Sequence, residues 1–126
     1  RYIADPGQTE LQLFRAAQKR HLPCELWPGD DAYDLRITLP NGEIWAVDVK
    51  DWANPFLLAR QVKPFRTNPP WTCAFFVFPD ERRKQRADYL RAFQNHCAIL
   101  DSRTQAMFVR SFLHRLDKKI TETRYA

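Results

Sequence analysis

Two aspartates and a lysine on one predicted β-hairpin have the residue types and the spacing needed to hold a divalent cation. The hairpin loop is predicted at residues 40–42, a type I turn in which Gly42 takes the left-handed conformation and closes the turn with a bulge. That loop places Asp34 opposite Asp48, with Lys50 two residues further along the same face. Opposed carboxylates lie roughly 5 Å apart at Cβ and repel each other, so we expect a cation between them. Carboxylate oxygens are ligands that suit Mg²⁺ or Mn²⁺.

The residues of this hairpin alternate in polarity, which supports the register. One face is predicted to be apolar and the other polar: the apolar face carries Tyr33, Leu35, Ile37, Leu39, Trp45, Val47 and Val49, and the polar face carries Asp34, Arg36, Thr38, Asp48 and Lys50. The alternative is a solvated face on which Arg36 and Lys50 neutralise the aspartates as ordinary, weak cross-strand pairs. We favour the cation site, because the strand over 44–50 is so apolar before its acid that it is predicted to be central in the sheet, where an acid usually has a function.

The composition is that of one globular domain over 1–126. Of its 126 residues 44% are apolar, including four Trp and nine Phe, which is enough to bury a core. The sequence has no run of 18 apolar residues and no signal-peptide pattern, so neither a membrane span nor export is predicted. Because the chain begins with Arg1 rather than Met, we expect it to be part of a longer protein.

Cysteine content and charge indicate a cytoplasmic protein with a polyanionic partner. Cys24, Cys73 and Cys97 are odd in number and widely spaced, and each lies in a segment predicted to be a strand. Buried free thiols in a reducing cytoplasm are therefore expected, and a zinc site is not. Lys and Arg number 20 against 15 Asp and Glu, for a net charge of +5 and a pI near 9.4. This balance favours a partner such as nucleic acid.

Capping residues, prolines and apolar spacing predict helices that alternate with strands. The first predicted elements are a helix over 6–20 capped by Asp5 and Gln8, a strand over 22–27 and the two hairpin strands. A helix capped by Asn54 then ends before Pro64 and is followed by a strand over 73–78. The last three elements are a helix capped by Asp80 with Ala87, Leu90 and Phe93 facing inward, a strand over 97–100, and a helix after Ser102 with Phe108, Phe112, Leu113 and Leu116. The continuously apolar strand over 73–78 is predicted to be a buried parallel neighbour. This order predicts an α/β fold with a mixed sheet flanked by helices.

The pattern resembles the PD-(D/E)XK nuclease superfamily, which has the restriction-endonuclease-like fold. The resemblance covers about 6–79 and rests on the element order, on Asp34 in the second strand and on Asp48-Val49-Lys50 in the third. Tyr33 stands where the name of the superfamily has Pro. The segment over 45–55 is also similar to endonuclease-like domains of prokaryotic phage-defence islands, including those that accompany argonaute-like pPIWI proteins. The resemblance implies an αβββαβ core.

The resemblance also implies a metal-dependent DNA endonuclease. Asp34 and Asp48 would bind Mg²⁺ or Mn²⁺, and Lys50 would position or activate the attacking water. Metal ions between carboxylates can activate that water, compensate the charge of the phosphate and assist the leaving group. The carbonyl of Val49 is a candidate further metal ligand. Glu10 is another, since helix acids serve in some members of the superfamily, although an interaction with the dipole of its own helix is the alternative.

Candidate DNA contacts lie on the helix that follows the motif. Arg60 and Lys63 are predicted to share a helix face, and Arg66 follows in the loop, so the three could follow a phosphate backbone. Gln61 is a candidate contact to water or phosphate, as similarly placed glutamines are in some related nucleases, or a residue of the rim. The basic run over 82–86 is predicted to be a solvated helix face.

Two other functions stay open on the sequence. A catalytically silent nucleic-acid-binding or scaffold module of the same fold, with other subunits or domains of a larger complex as partners, is disfavoured by the complete set of Asp34, Asp48 and Lys50. A ribonuclease is the second alternative, and the sequence offers no feature that separates RNA from DNA as the substrate.

Overall fold

In a computed structural model, which describes residues 7–125, the chain forms a five-stranded mixed sheet between two layers of helices. The elements in chain order are α1 (Gln8–Lys19), β1 (Cys24–Leu26), α2 (Pro28–Asp31), β2 (Leu35–Thr38), β3 (Ile44–Val49), α3 (Pro55–Gln61), β4 (Cys73–Phe78), α4 (Glu81–Gln85), α5 (Tyr89–His96), β5 (Thr104–Phe108) and α6 (Val109–Tyr125). The strand order is β1-β2-β3-β4-β5, antiparallel from β1 to β3 and parallel from β3 to β5. The predicted α/β class, the central position of β3 and its parallel neighbour β4 are confirmed.

Each face of the sheet buries its own apolar cluster. On one face α1 and α6 pack over the sheet through Leu13, Phe112 and Leu116. On the other face α3 and α5 do so through Leu58 and Phe93. Among residues 7–125 no helix is both long enough and apolar enough to cross a lipid bilayer.

The hairpin of β2 and β3 has the predicted register. Leu35 pairs with Val47 and Ile37 with Trp45. At the turn the N–H of Leu39 donates to the carbonyl of Glu43 at 2.8 Å. Gly42 has φ 89°, the left-handed conformation that the loop requires.

The prediction for Tyr33 is wrong, because this residue lies on the other face of the sheet from Leu35. Its ring packs beside Phe65 at a centroid distance of 6.1 Å, and its hydroxyl donates to the carbonyl of Pro69 at 3.0 Å. The alternation of faces begins only at Leu35, the first residue of β2. The chain before it turns through α2, which is flanked by Trp27, with φ 49°, and contains Asp31, with φ 61°, both left-handed.

The caps of the first two predicted helices have different outcomes. The proposed cap by Asp5 lies outside the described residues, and Gly7 at the start of α1 makes no side-chain cap bond. Asn54 caps α3 as predicted, because its Oδ1 accepts the N–H groups of Phe56 and Leu57 at 3.0 and 3.1 Å. Since Val62 is extended, α3 ends at Gln61, and Lys63 lies beyond the helix rather than on a helix face with Arg60.

The helix predicted after Asp80 is divided into α4 and α5. Arg86 is extended, with φ −149° and ψ 108°, which interrupts the helix and leaves Ala87 exposed rather than facing inward. Asp80 makes no side-chain cap bond at α4. Its Oδ1 instead accepts the N–H of Arg110, in the first turn of α6, at 3.4 Å.

The strand predicted over 97–100 is also wrong. The last strand is β5, whose residues the sequence pattern assigns to the final helix. In the structure that helix, α6, begins only at Val109. Asp101 causes the turn before β5, since its Oδ1 accepts the N–H groups of Arg103 and Thr104 at 2.8 Å each. The segment over 106–109 is buried on both faces and therefore lacks the alternation that distinguishes a strand from a helix.

Candidate active site

The backbone of Asp34 is fixed between two neighbouring segments. Its N–H donates to the carbonyl of Val47 at 3.0 Å, and its own carbonyl accepts the N–H of Trp27 at 2.8 Å. Asp34 therefore stands just before β2, next to the carboxyl end of the central strand. That end of β3 carries Asp48, and Lys50 follows it.

The side chain of Asp34 takes the place of a backbone acceptor beside β3. Its Oδ2 accepts the N–H of Val49 at 2.7 Å. The bond satisfies a backbone donor of the central strand and fixes the direction of the carboxylate. Asp34 is thus held at the residue that lies between Asp48 and Lys50.

Asp48 and Lys50 form an ion pair on the same face of the sheet. Lys50 Nζ lies 3.4 Å from Asp48 Oδ2, and their side chains keep 31% and 23% of their surface exposed. Ala46, two residues before Asp48, belongs to the cluster under α3 and α5. Because side chains alternate along a strand, Asp48 emerges on that face, close to α3.

Asp34 ionises less readily than an exposed aspartate. Burial, first, and the negative charge of Asp48, second, raise the pKa of Asp34 to about 7. The Val49 N–H and the Lys50 ammonium act in the opposite direction and are outweighed. Near neutral pH the Asp34 carboxyl therefore retains a proton for part of the time, in the place where a cation would fit.

The alternative of a solvated face with ordinary cross-strand pairs is borne out only for Lys50. The guanidinium of Arg36 donates to the carbonyl of Pro70 at 3.4 Å, and its buried Nε has no hydrogen-bond partner among residues 7–125. Within residues 7–125 Arg36 forms no ion pair with Asp34 or Asp48. Lys50 is therefore the cation that pairs with Asp48 here, and Arg36 contacts the carbonyl of Pro70 instead.

Glu10 does not join the two aspartates. Its Oε2 accepts the indole N–H of Trp27 at 3.2 Å, and it lines a groove of about 680 Å³ together with Val49 and Asp51. In the described part of the chain no group of three His, Cys, Asp or Glu side chains is arranged to hold a metal. The structure thus brings together Asp34, Asp48, Val49 and Lys50, and the role of Glu10 as a ligand stays a prediction.

Two residues that the sequence did not single out anchor the loop after Lys50. Arg82 Nε lies 2.7 Å from Asp51 Oδ1, and the hydroxyl of Tyr89 donates to the carbonyl of Trp52. Arg82 belonged to a run interpreted as solvated, and nothing in the pattern distinguished Tyr89 from other core aromatics. Both pairings join segments more than thirty residues apart, which a local pattern does not reveal.

The candidate DNA contacts lie at and after the end of α3. Arg60, Gln61, Lys63 and Arg66 are all exposed. The guanidinium of Arg66 donates to the carbonyl of Asp30 at 3.1 Å. Because α3 packs on the face from which Asp48 emerges, these side chains lie on the same side of the sheet as the acid pair, Asp34 and Asp48.

Comparison with known protein families identifies the family and agrees with the fold. A family model described as "REase associating with pPIWI_RE", where REase stands for restriction endonuclease, matches residues 7–124. The chain belongs to this family. Membership confirms the resemblance to restriction-endonuclease-like domains of phage-defence islands, and the five-stranded mixed sheet flanked by helices agrees with that fold. No curated protein and no solved structure matches the chain.

Proposed function

We propose that the domain is a metal-dependent endonuclease that hydrolyses DNA phosphodiester bonds in prokaryotic antiviral defence. The family supports a restriction-endonuclease-like activity in general terms. The observation that carries the specific proposal is the proximity of Asp34 to Asp48 beside Lys50, where burial and then the charge of Asp48 raise the pKa of Asp34 to about 7. A strained carboxylate pair next to an ammonium group suits metal-assisted hydrolysis, and strongly shifted pKa values are frequent at functional sites.

The residues fit Mg²⁺ or Mn²⁺. Asp34 and Asp48 would supply carboxylate oxygens, and the Val49 carbonyl is a third donor. Because the N–H and C=O of one residue in an extended strand point to the same side, the Val49 carbonyl is directed toward Asp34, the acceptor of its N–H. Two carboxylates are sufficient, since Mg²⁺ commonly keeps several waters and binds substrate phosphate oxygens. When bound, the cation supplies charge compensation at the phosphate and makes a water more acidic.

Lys50 then acts at the scissile phosphate. Its ammonium is half-buried and close to Asp48, so its compact charge can orient a water or offset the negative charge that develops in the transition state. Its backbone N–H donates to the carbonyl of Val77 at 3.0 Å, which fixes the start of the side chain. The loop that follows is held by Arg82 and Tyr89.

The remaining parts of the proposal concern partners. Arg60, Gln61, Lys63 and Arg66 contact the DNA backbone, because they are exposed, mostly cationic and on the side of the acid pair. The domain works in the cytoplasm within a larger complex, with a pPIWI_RE protein as its partner, as the description of the family suggests.

A comparison of substrates tests the proposal. The purified domain is incubated with supercoiled plasmid, single-stranded DNA and RNA, each with Mg²⁺, Mn²⁺ or EDTA. The proposal expects cleavage of DNA that depends on the cation and is absent in EDTA. Cleavage of RNA alone would establish a ribonuclease, and binding without cleavage of any substrate would establish a silent nucleic-acid-binding module.

A further inference from the structure

A second concentration of charge lies at the edge of the sheet formed by β5. A groove of about 1050 Å³ runs between β5, α5 and α6. Its charged lining residues are the cations Arg83, Arg110, Arg115 and Lys118 and the acid Asp101. All four cations are exposed, so their charge is presented to whatever enters the groove.

These cations are not neutralised by the rest of the described chain. Within residues 7–125 none of the four forms an ion pair with a carboxylate, whereas Arg20, Arg82 and Arg86 each lie within 2.7 Å of an Asp oxygen. Asp101 uses its Oδ1 to accept backbone N–H groups in the turn before β5. Unpaired cations that line a concave surface produce a focused positive potential.

Three of the four cations lie on α6 and the fourth, Arg83, lies on α4. Arg110, His114 and Lys118 follow at four-residue intervals and all line the groove, so they rise by about 6 Å from one to the next. Arg115 lies beside this line, and its guanidinium donates to Oε1 of Gln105 on β5 at 3.2 Å. The groove therefore has Arg110 and Lys118 along one line of α6 with Arg115 beside them, and its wall also includes apolar side chains such as Leu90 and Met107.

The groove continues toward the end of the sheet at which Asp34 and Asp48 lie. Arg83 and Arg110 also line a smaller cavity of about 370 Å³ with Lys84 and the acids Asp80 and Glu81, at the carboxyl ends of β4 and β5. Because β3, β4 and β5 are parallel, their carboxyl ends lie at the same end of the sheet, and Lys50 follows β3 at that end. One extended ligand could therefore contact both the acid pair and the groove.

We propose that this β5–α6 groove binds the phosphate backbone of the DNA beyond the scissile phosphate. The inference rests on the proposed function, in that the domain acts on DNA. The lining supplies Arg, Lys, His and Gln side chains, which are the groups that contact phosphate and sugar, and the charge of the groove is complementary to a polyanion. An acidic polypeptide added to the edge of β5 is the competing occupant.

Paired double variants test the groove. Arg115→Ala with Lys118→Ala removes two groove cations, and Arg15→Ala with Lys19→Ala removes two exposed cations from α1 as a matched control. Binding of fluorescent duplex DNA is titrated over a range of salt concentrations in Ca²⁺, which replaces Mg²⁺ so that cleavage does not interfere. The groove variant should flatten the slope of log affinity against log salt by roughly 2, at about 0.9 per phosphate contact, and the control should keep the parent slope.

An unchanged slope in the groove variant would overturn the proposal. Fluorescent poly-glutamate, titrated in parallel, identifies the competing occupant: loss of poly-glutamate binding with DNA binding intact assigns the groove to an acidic polypeptide and also overturns the proposal. Failure of the proposed function is distinguishable, because a parent domain that binds DNA through the groove without cleaving it would retain this inference and lose the nuclease.

Discussion

The carboxylate of Asp34 accepts the backbone N–H of Val49 at 2.7 Å, across the gap between the start of β2 and the end of β3. This bond gives Asp34 a structural role in addition to its proposed role as a metal ligand. It holds the carboxylate beside Asp48, where the negative charge is costly. The hydrogen bond from the central strand thus stabilises the Asp34 carboxylate against burial and the charge of Asp48.

Two substitutions of Asp34 separate its hydrogen bond from its charge. Asp34→Asn retains an oxygen that can accept the Val49 N–H, whereas Asp34→Ala leaves that donor without its partner. We expect the Ala variant to be less stable than the Asn variant by about 1–3 kcal/mol. Urea unfolding at about pH 5, where the parent carboxyl is mostly protonated, measures the difference. Equal stabilities would show that the hydrogen bond contributes nothing.

The raised pKa of Asp34 predicts an unusual pH dependence without metal. The unfolded chain loses this proton near pH 4 and the folded domain near pH 7, so the folded state binds more protons between those values. Asp34 therefore lowers the stability as pH rises through this window, by at most about 1.4 kcal/mol per pH unit. Unfolding titrations in EDTA measure the slope, and subtraction of the Asp34→Asn profile isolates the contribution. Identical profiles for the two proteins would contradict the assignment.

The fold was largely predictable because local signals agree with the tertiary structure. Pro40 and Gly42 define the hairpin turn, and that turn sets the pairing of Leu35 with Val47. The juxtaposition of Asp34 and Asp48 follows from the same register. The site was therefore predictable to the extent that it depends on one hairpin.

The parts that were not predictable depend on contacts between distant segments. The N–H of Val49 donates to the side chain of Asp34 rather than to a backbone carbonyl. Asp80 accepts the N–H of Arg110 in α6 instead of capping α4. The buried run before Val109 has no periodicity that separates strand from helix. Tyr33 lies on the face opposite to Leu35 because side chains alternate between the faces of the sheet only from Leu35 onward, after the turn of α2.

The basic residues after α3 predict salt-sensitive binding. If Arg60, Lys63 and Arg66 neutralise phosphates, their triple alanine variant should flatten the slope of log affinity against log salt by roughly 2 to 3 on duplex DNA. Gel-shift titrations in Ca²⁺ measure the slope, and the Arg15→Ala, Lys19→Ala protein is again the control. A slope equal to that of the parent would place the DNA away from α3.

Lys50 should affect turnover rather than affinity. In the proposed function its ammonium acts at the scissile phosphate in the transition state, whereas other cations hold the rest of the backbone. Lys50→Ala should lower kcat by about 10²- to 10⁴-fold with DNA affinity in Ca²⁺ nearly unchanged. Single-turnover cleavage and gel-shift binding give the two quantities. A variant that loses affinity and keeps its cleavage rate would show that Lys50 is a binding residue.

Cleavage of supercoiled plasmid in Mg²⁺ by Asp48→Ala tests the central claim most directly. Removal of one of two repelling carboxylates should leave the domain folded, so its melting temperature at about pH 8 should be at least that of the parent. Asp88→Asn, which changes an exposed acid paired with Arg86, is the matched control. We predict no cleavage by Asp48→Ala above the EDTA background and parental cleavage by Asp88→Asn. Cleavage by a folded Asp48→Ala protein at the parental rate would contradict the account.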